Sequence, residues 1–361
     1  ELPFKNVYFT GIVRDQLGRK MSKSLGNSPD PLKLIKKYGA DGVRVGMLLS
    51  SPAGNDLLFD VSLCQQGRNF TNKIWNAFRL IKSWEVSDDI NQAEYSKVAN
   101  TWIDAKINFT LSKISESYDK FRISEALMLT YKLVWDDFCS WYLEMIKPEY
   151  GKPIDRKTLD EAILIFEKLL KIVHPFTPFI SEEIWHLIKN REEDCIMLAT
   201  WPNIESFDTE ILEEFVNFEK VITEIRTIRK ENQIPNKEAL ELYVKGNTTN
   251  DDLFNPLLKK IANLNCLDIC DNKVDNSFSF IVNSLEYFIP FSADFDLEKE
   301  IENLKSELRD KEGFLAIVMK KLSNKRFVEN APDKVVALEQ KKKQDAENHI
   351  KIIQEKLHQM M

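Results

Sequence analysis

Glycine and proline are scarce in this sequence, 11 and 13 of 361 residues. A sheet-dominated fold spends both on its many turns. Their shortage, beside an abundance of Lys, Glu, Leu and Ile, points to a mainly helical protein. Cysteine is scarce too: Cys64, Cys139, Cys195, Cys266 and Cys270 are odd in number and form no C-x-x-C pair. Cys266 and Cys270 lie four apart with no histidine beside them, and His174, His186, His349 and His358 are isolated. That pattern disfavours a disulfide framework and a zinc site, so the expectation is a reducing, cytoplasmic compartment and no bound structural metal. No apolar run approaches the ~20 residues of a membrane-spanning helix, and no signal-peptide pattern is present. Basic charge is also lacking, since the net charge of −7 argues against a uniformly basic nucleic-acid binder.

The charge is segregated along the chain. Residues 297–361 hold 14 Lys and Arg against 12 Asp and Glu, a surplus of two cations, so the remainder carries −9. The 43% of apolar residues, with 22 Phe and 7 Trp, are enough for large cores, and the length suits two to four units. The chain begins Glu-Leu-Pro rather than Met, which leads us to expect a piece of something longer.

Four regions differ in period. Residues 1–55 open with "NVYFTGIV", whose β-branched and aromatic content predicts a buried strand. A cationic loop follows. Then Leu32, Ile35 and Tyr38 fit one helix, Gly39 ends it, and Asp41 is placed to cap the next. Helical periodicity dominates residues 56–232. Apolar stripes run through Leu63, Phe70, Ile74, Phe78 and Ile81, and through Ile123, Leu127, Thr130, Val134, Phe138, Trp141 and Met145. Further stripes join Ala162, Phe166, Leu169 and Val173; Ile180, Ile184 and Ile188; and Phe215, Phe218, Ile222, Ile225 and Ile228. Such helices with short connections predict an antiparallel bundle. In residues 233–293, "ALELYVKG" and "SFSFIVNSLEYFIPF" read as strands flanking a helix near 251–262, a small α/β unit.

Residues 294–361 carry heptads: Leu297, Ile301, Leu304, Leu308, Lys311, Leu315, Val318 and Leu322, then Val336, Glu339, Lys343, Ala346, Ile350, Ile353, Leu357 and Met360. Two such series around a Pro-containing loop predict an antiparallel coiled-coil hairpin, with Glu339 and Lys343 loosening its second seam.

The loop "GRKMSKSLGNSPDP" (18–31) alternates lysines with hydroxyls between two glycines. Ammonium groups and neutral donors so spaced can surround a phosphate chain, although an arbitrary loop of this composition is more often a solvated turn. The string Lys20-Met21-Ser22-Lys23-Ser24, followed by "LGN", a proline and "YGADGVR", resembles the second signature of class I aminoacyl-tRNA synthetases. "GNDLLFD" with "GRNFTNKIWNAFR", "HPFTPFISEEIW" and "IRTIRKENQIPNKEALEL" carry the resemblance over essentially the whole chain. The ending, "LEYFIPFSADFDLEKEIENL" into a hairpin with "KKLSNKRFVENAP" at its tip, is most similar to the valyl branch.

The resemblance implies the end of a class I Rossmann catalytic domain at 1–55, a helical anticodon-binding domain at 56–232, the small α/β unit at 233–293 and a tRNA-binding arm at 294–361. It implies a ligase joining valine to its tRNA through valyl-adenylate, with ATP as its Mg²⁺ complex. Lys20, Met21, Ser22, Lys23 and Ser24 would close over ATP, Lys20 and Lys23 being the catalytic pair and Lys23 stabilising the departing pyrophosphate. tRNA contacts are expected from Arg68, Asn69, Asn72, Lys73, Asn76 and Arg79 and from Lys320, Lys321, Lys325 and Arg326. Each of the first six can equally serve as a cap or cross-helix hydrogen bond, and charged hairpin tips are commonly only soluble ends. The whole would be a cytoplasmic monomer. The histidine signature of the class, the Rossmann glycines and an editing domain have no counterpart here, so the chain by itself is expected to be inactive.

Other readings are an isoleucyl- or leucyl-type fragment, a stand-alone tRNA-binding module, or a coiled-coil adaptor. Isoleucyl enzymes typically end in a cysteine-bearing zinc unit, which this chain lacks. A pure binder has no use for a leaving-group clamp, and an adaptor needs an apolar outer face on the hairpin. Ser181, Glu182 and Glu183 are read as helix capping rather than acid–base chemistry. Trp75, Trp135, Trp141 and Trp185 are read as core.

Overall fold

The computed structural model describes residues 3–7, 9, 11–49, 56–189, 195–245, 253–291 and 297–323, and helical residues at 338–344, 346–347, 350–351 and 354. The chain divides into two compact units, residues 1–219 with 253–261 and residues 220–252 with 262–361.

The first unit is mostly helix. Among the described residues its opening segment forms a two-residue strand, β1 (Val13–Arg14), paired in parallel with β2 (Leu57–Leu58), with Tyr8 and Thr10 outside the described residues. The expected buried strand over "NVYFTGIV" is therefore corrected. Val7, Phe9 and Ile12 are exposed, Phe9 at 80%, because among the described residues this stretch finds no sheet to cover it. α1 (Pro31–Tyr38) starts at Asp30, whose carboxylate accepts the Leu32 N–H, and ends at Gly39 with φ +80°. Its buried face is Tyr38 with Leu34 rather than Leu32 and Ile35, which are exposed.

α2 (Ala40–Leu49) then crosses α3 (Val61–Lys82) at closest backbone approach. A Cβ on Gly67 would stand 2.1 Å from the Gly42 carbonyl oxygen, and one on Gly46 would stand 2.6 Å from the Leu63 backbone. Only glycine fits there.

Parallel pairing of β3 (Val86–Ser87) with β4 (Ile154–Asp155) ties the bundle's loops together. Between them run α4 (Glu94–Asp119) and α5 (Ile123–Lys132), a π-helical stretch at Leu133–Tyr142 and α6 (Leu143–Ile146). The wide turn shows in Ser140, whose hydroxyl donates to the Trp135 carbonyl five residues back. α7 (Arg156–Val173) is capped by Asp155 onto the Thr158 N–H and leads to α8 (Pro178–Ile188). The stripe residues Phe70, Ile74, Leu127, Val134, Phe138, Phe166, Leu169 and Ile184 are all buried. Trp185 is buried, whereas Trp75, Trp135 and Trp141 are half-buried at the bundle's margin.

α2 is also gripped by the turn before α8. The buried Asp41 carboxylate accepts the N–H groups of Phe179 (3.3 Å) and Ile180 (2.8 Å), and Arg44 donates to the carbonyls of Pro175 and Phe176. Asp41 thus caps α8 and not α2, correcting the expectation from its place in the sequence. Ser181 does not cap either. It lies in the second turn, and its hydroxyl donates to the Thr177 carbonyl.

α9 (Glu210–Glu231) begins in the first unit and ends in the second. The second unit holds a four-stranded sheet of order β6-β5-β8-β7: β5 (Leu240–Lys245), β6 (Leu264–Cys270), β7 (Ser277–Val282) and β8 (Leu285–Pro290). β5 and β6 run parallel, so a crossover must join them, and the chain between them passes through α10 (Asn255–Ile261), which belongs to the first unit. β6 was not foreseen, since as an edge strand it alternates polar residues and buries little. Arg229 is buried and pins this unit, donating to the carbonyls of Pro235 and Ala262, each at 2.9 Å.

α11 (Leu297–Ser323) follows. Along it the heptad positions Ile301, Leu308, Lys311, Leu315 and Leu322 are half-buried and Val318 is buried, while most of their neighbours are exposed. The second arm, from residue 338, presents Glu339 and Ala346 as buried. Lys321 Nζ lies 3.7 Å from Glu339 Oε2 and Lys342 lies 2.7 Å from Oε1, so the end of one arm meets the start of the other. Glu339 sits in the seam as a paired carboxylate, held below its usual pKa by the Lys342 hydrogen bond first and then by the Lys321 charge, against the raising effect of burial.

Candidate functional site

The loop is organised around one side chain that sequence reasoning did not single out. β1 turns back on itself through a bridge between Arg14 and Lys20, with Gly18 at φ +76° making the corner. Inside that corner Asp15 accepts the N–H groups of Leu17 and Arg19 and the Arg19 guanidinium at 2.8 Å. Asn27 closes the far side. Its Nδ2 donates to Asp15 Oδ2 (3.0 Å) and to the Lys20 carbonyl (3.2 Å), and its Oδ1 accepts the Ser22 N–H (2.9 Å). These bonds, Asn27 foremost, hold the Asp15 carboxyl down at a pKa of about 2.

The rest of the loop hangs from this frame. Met21 packs against Tyr38, Phe59 and Cys64. The Ser22 hydroxyl accepts the Leu25 N–H and meets the Ser24 hydroxyl at 3.0 Å, so both hydroxyls serve the turn. Gly26, at φ +64°, returns its N–H to the Lys23 carbonyl. Lys20 and Lys23 are exposed. An open groove of about 480 Å³ is lined by other residues of the loop and its neighbours, among them Asp15, Arg19, Met21, Asn27, Phe59 and Val61. At the loop's base Asp56 bonds Arg14 and the Ile12 N–H.

On α3 the six expected residues separate. Arg68 donates to the Lys37 carbonyl at 2.7 Å, a bond that ties α3 to the end of α1. Asn69 accepts from Gln65 at 2.9 Å. Lys73 lies 5.4 Å from the centre of the Trp135 ring, which stacks on Tyr131. Asn72, Asn76 and Arg79 are exposed at helical spacing with Asn69, making a polar stripe apart from the buried one. At the hairpin Lys320 and Lys321 are exposed, whereas Lys325 and Arg326 lie outside the described residues. The five cysteines are free, and among the described residues no group of three His, Cys, Asp or Glu could hold a metal. No helix among them is long and apolar enough to cross a membrane.

Comparison with known proteins agrees with the sequence signature. Valine--tRNA ligases match this chain over nearly its whole length. That of Christiangramia forsetii is 54% identical over 358 residues, 99% of this chain and 41% of that protein. That of Enterococcus faecalis is 35% identical over 374 residues, covering all of this chain and 42% of its own length. Along its whole length this chain is similar to one portion of the valine--tRNA ligases.

It spans about two fifths of the length of the valine--tRNA ligases it matches. Three family profiles align along it. Residues 1–60 match tRNA synthetases class I (I, L, M and V), residues 100–244 the anticodon-binding domain of tRNA ligase, and residues 296–361 the valyl tRNA synthetase tRNA binding arm. Lys20–Ser24 fall within the first and Lys320–Arg326 within the third, while α3 lies between the first two. Among solved structures, the LeuRS chain of a LeuRS–tRNA–LeuAMS ternary complex from Agrobacterium radiobacter K84 aligns with 78% of this chain and 32% of its own, at 18% identity and a TM-score of 0.40.

Proposed function

We propose that this chain is the part of a valine--tRNA ligase that supplies the ATP-closing loop and the tRNA-binding surfaces. In the full-length enzyme the carboxylate of valine attacks the α-phosphorus of Mg²⁺-complexed ATP. The new O–P bond makes valyl-adenylate, the bond to the β-phosphate oxygen breaks, and pyrophosphate leaves with the electron pair. Negative charge grows on that leaving group as the bond stretches. The Lys23 ammonium meets it there, with Lys20 as the second cation and Met21, Ser22 and Ser24 shaping the closure. An interaction that strengthens toward the transition state raises the rate constant rather than ground-state affinity.

The observation that supports this reading is the loop itself, two exposed lysines carried on a main chain fastened to β1 by Asp15 and Asn27. The four regions 1–55, 56–232, 233–293 and 294–361 serve as the catalytic end, the anticodon-binding bundle, a small α/β unit and the arm. Asn69, Asn72, Lys73, Asn76 and Arg79 of α3 face the anticodon stem. Unstacked bases are read there by donors and aromatic faces. Arg68 joins them from its place at the end of α1. Lys320, Lys321, Lys325 and Arg326 brace the tRNA backbone through phosphates, adding affinity without sequence readout. The enzyme works as a cytoplasmic monomer.

The test is Lys23→Ala in the full-length enzyme. Valine-dependent ATP–pyrophosphate exchange falls on the order of a hundredfold, as for loss of other transition-state donors, while valine binding is kept. Equal losses in rate and in valine affinity would reject the assignment.

A further inference from the structure

We infer that Asn27 is a positioning residue for Lys23, an inference that rests on the reading of the loop given above. The Asn27 side chain reaches back five residues to the Ser22 N–H at 2.9 Å and so closes residues 22–27 into a ring on which Lys23 rides. The same amide brackets Lys20–Met21–Ser22, taking the carbonyl of the first and the N–H of the last. Its remaining donor bond runs to Asp15 Oδ2 at 3.0 Å, which anchors the ring to the hairpin corner. Among the described residues, the side chain's hydrogen bonds therefore stay within residues 15–27. The Lys23 ammonium sits on a flexible four-carbon stem, and its useful position depends on where the main chain holds it. A displacement of about 1 Å at a reacting centre costs on the order of a hundredfold in rate.

Only an amide satisfies this geometry. A carboxylate at position 27 would still accept the Ser22 N–H. Its second oxygen would face Asp15 Oδ2 at about the present 3.0 Å and the Lys20 carbonyl at about 3.2 Å, with no proton for either. Asn27→Asp keeps the size of the side chain and turns the latch into a repulsion.

The experiment is a double-mutant cycle in the full-length enzyme, reading valine-dependent ATP–pyrophosphate exchange with thermal unfolding as a control. Asn27→Asp lowers kcat about 10- to 100-fold with little change in KM for valine. In a Lys23→Ala background it adds almost nothing, since a residue that acts by placing Lys23 has nothing left to place. Asp15→Asn, which loosens the anchor from its other side, shows the same dependence on Lys23. Returning an amide–carboxylate pair by combining Asp15→Asn with Asn27→Asp recovers part of the rate. An unchanged kcat in Asn27→Asp, or the same fold loss with and without Lys23, overturns the inference and leaves the proposed function standing. If Asn27→Asp unfolds the protein, the Asp15→Asn cycle decides by the same criterion. Should Lys23→Ala itself leave exchange unchanged, the reading of the loop fails, and the inference falls with it.

Discussion

Gly67→Ala adds one methyl group where α3 meets α2, and the structure says how badly it fits. The new Cβ would stand 2.1 Å from the Gly42 oxygen, 2.9 Å from its carbonyl carbon and 3.1 Å from its Cα. All three are backbone atoms inside a helix, so no side chain can swing aside. Bringing the 2.1 Å contact to an ordinary van der Waals separation needs a movement of more than about 1 Å between the two backbones. The same movement disturbs the Arg68 bond to Lys37 and the grip of Asp41 and Arg44 on the turn before α8. Overpacking of this kind costs about 1–3 kcal/mol, and backbone on the receiving side puts it at the upper end. Alanine's better helix propensity returns about 1 kcal/mol, leaving a net loss of about 2 kcal/mol. For a unit of this size that is a fall of about 4–8 °C in the thermal midpoint. Gly313→Ala is the matched control, since Gly313 lies exposed in α11 with nothing within 4 Å of its would-be Cβ. There the same substitution stabilises its helix. Calorimetry on the two variants checks both signs. A Gly67→Ala midpoint equal to or above the parent's would refute the close crossing.

Two further outcomes follow from charge. Asp137 is half-buried beside Lys106 at 3.4 Å, and desolvation pushes its carboxyl up to a pKa of about 6 from 3.8, against the pull of that lysine. Its folded pKa lies above its unfolded one, so its contribution is full below about pH 4 and is lost as pH rises through about 6. Asp137→Asn therefore removes a decline of up to about 3 kcal/mol across that window, read by urea unfolding at a series of pH values; parallel pH profiles would contradict it. Replacing Lys320, Lys321, Lys325 and Arg326 with Ala flattens the plot of log tRNA affinity against log salt by about 0.7–0.9 for each phosphate the tip no longer neutralises, and an unchanged slope would mean that the tip never reaches RNA.

Periodic features were legible in the sequence and long-range polar ones were not. The seam of α11 could be read because burial there repeats every three and four residues, from Leu308 to Leu322. Ser22 and Lys23 announced the loop. Asn27 did not, because its role depends on the hairpin corner bringing Asp15 twelve residues back to it. Asp41 was misjudged for the same reason: a carboxylate at the start of a helix reads as that helix's cap, and its partners lie 138 and 139 residues away. Val7 and Phe9 have the composition of a core strand, but composition does not reveal whether a neighbouring sheet is there to cover them. β6 escaped because Asn265, Cys266 and Asp268 break the apolar run that marks a buried strand. The π-helical turns at Leu133–Tyr142 keep the apolar spacing of an ordinary helix, so nothing in the stripe betrays them.

The central claim is that these folded units form the tRNA-binding part of a valine--tRNA ligase. Titrating the chain with valine tRNA and with a non-cognate tRNA, over a salt series, tests it most directly. The expected result is saturable binding that weakens steeply with salt for both RNAs, with valine tRNA the tighter at every salt concentration. Equal affinity for the two RNAs, or no binding at low salt, would contradict it.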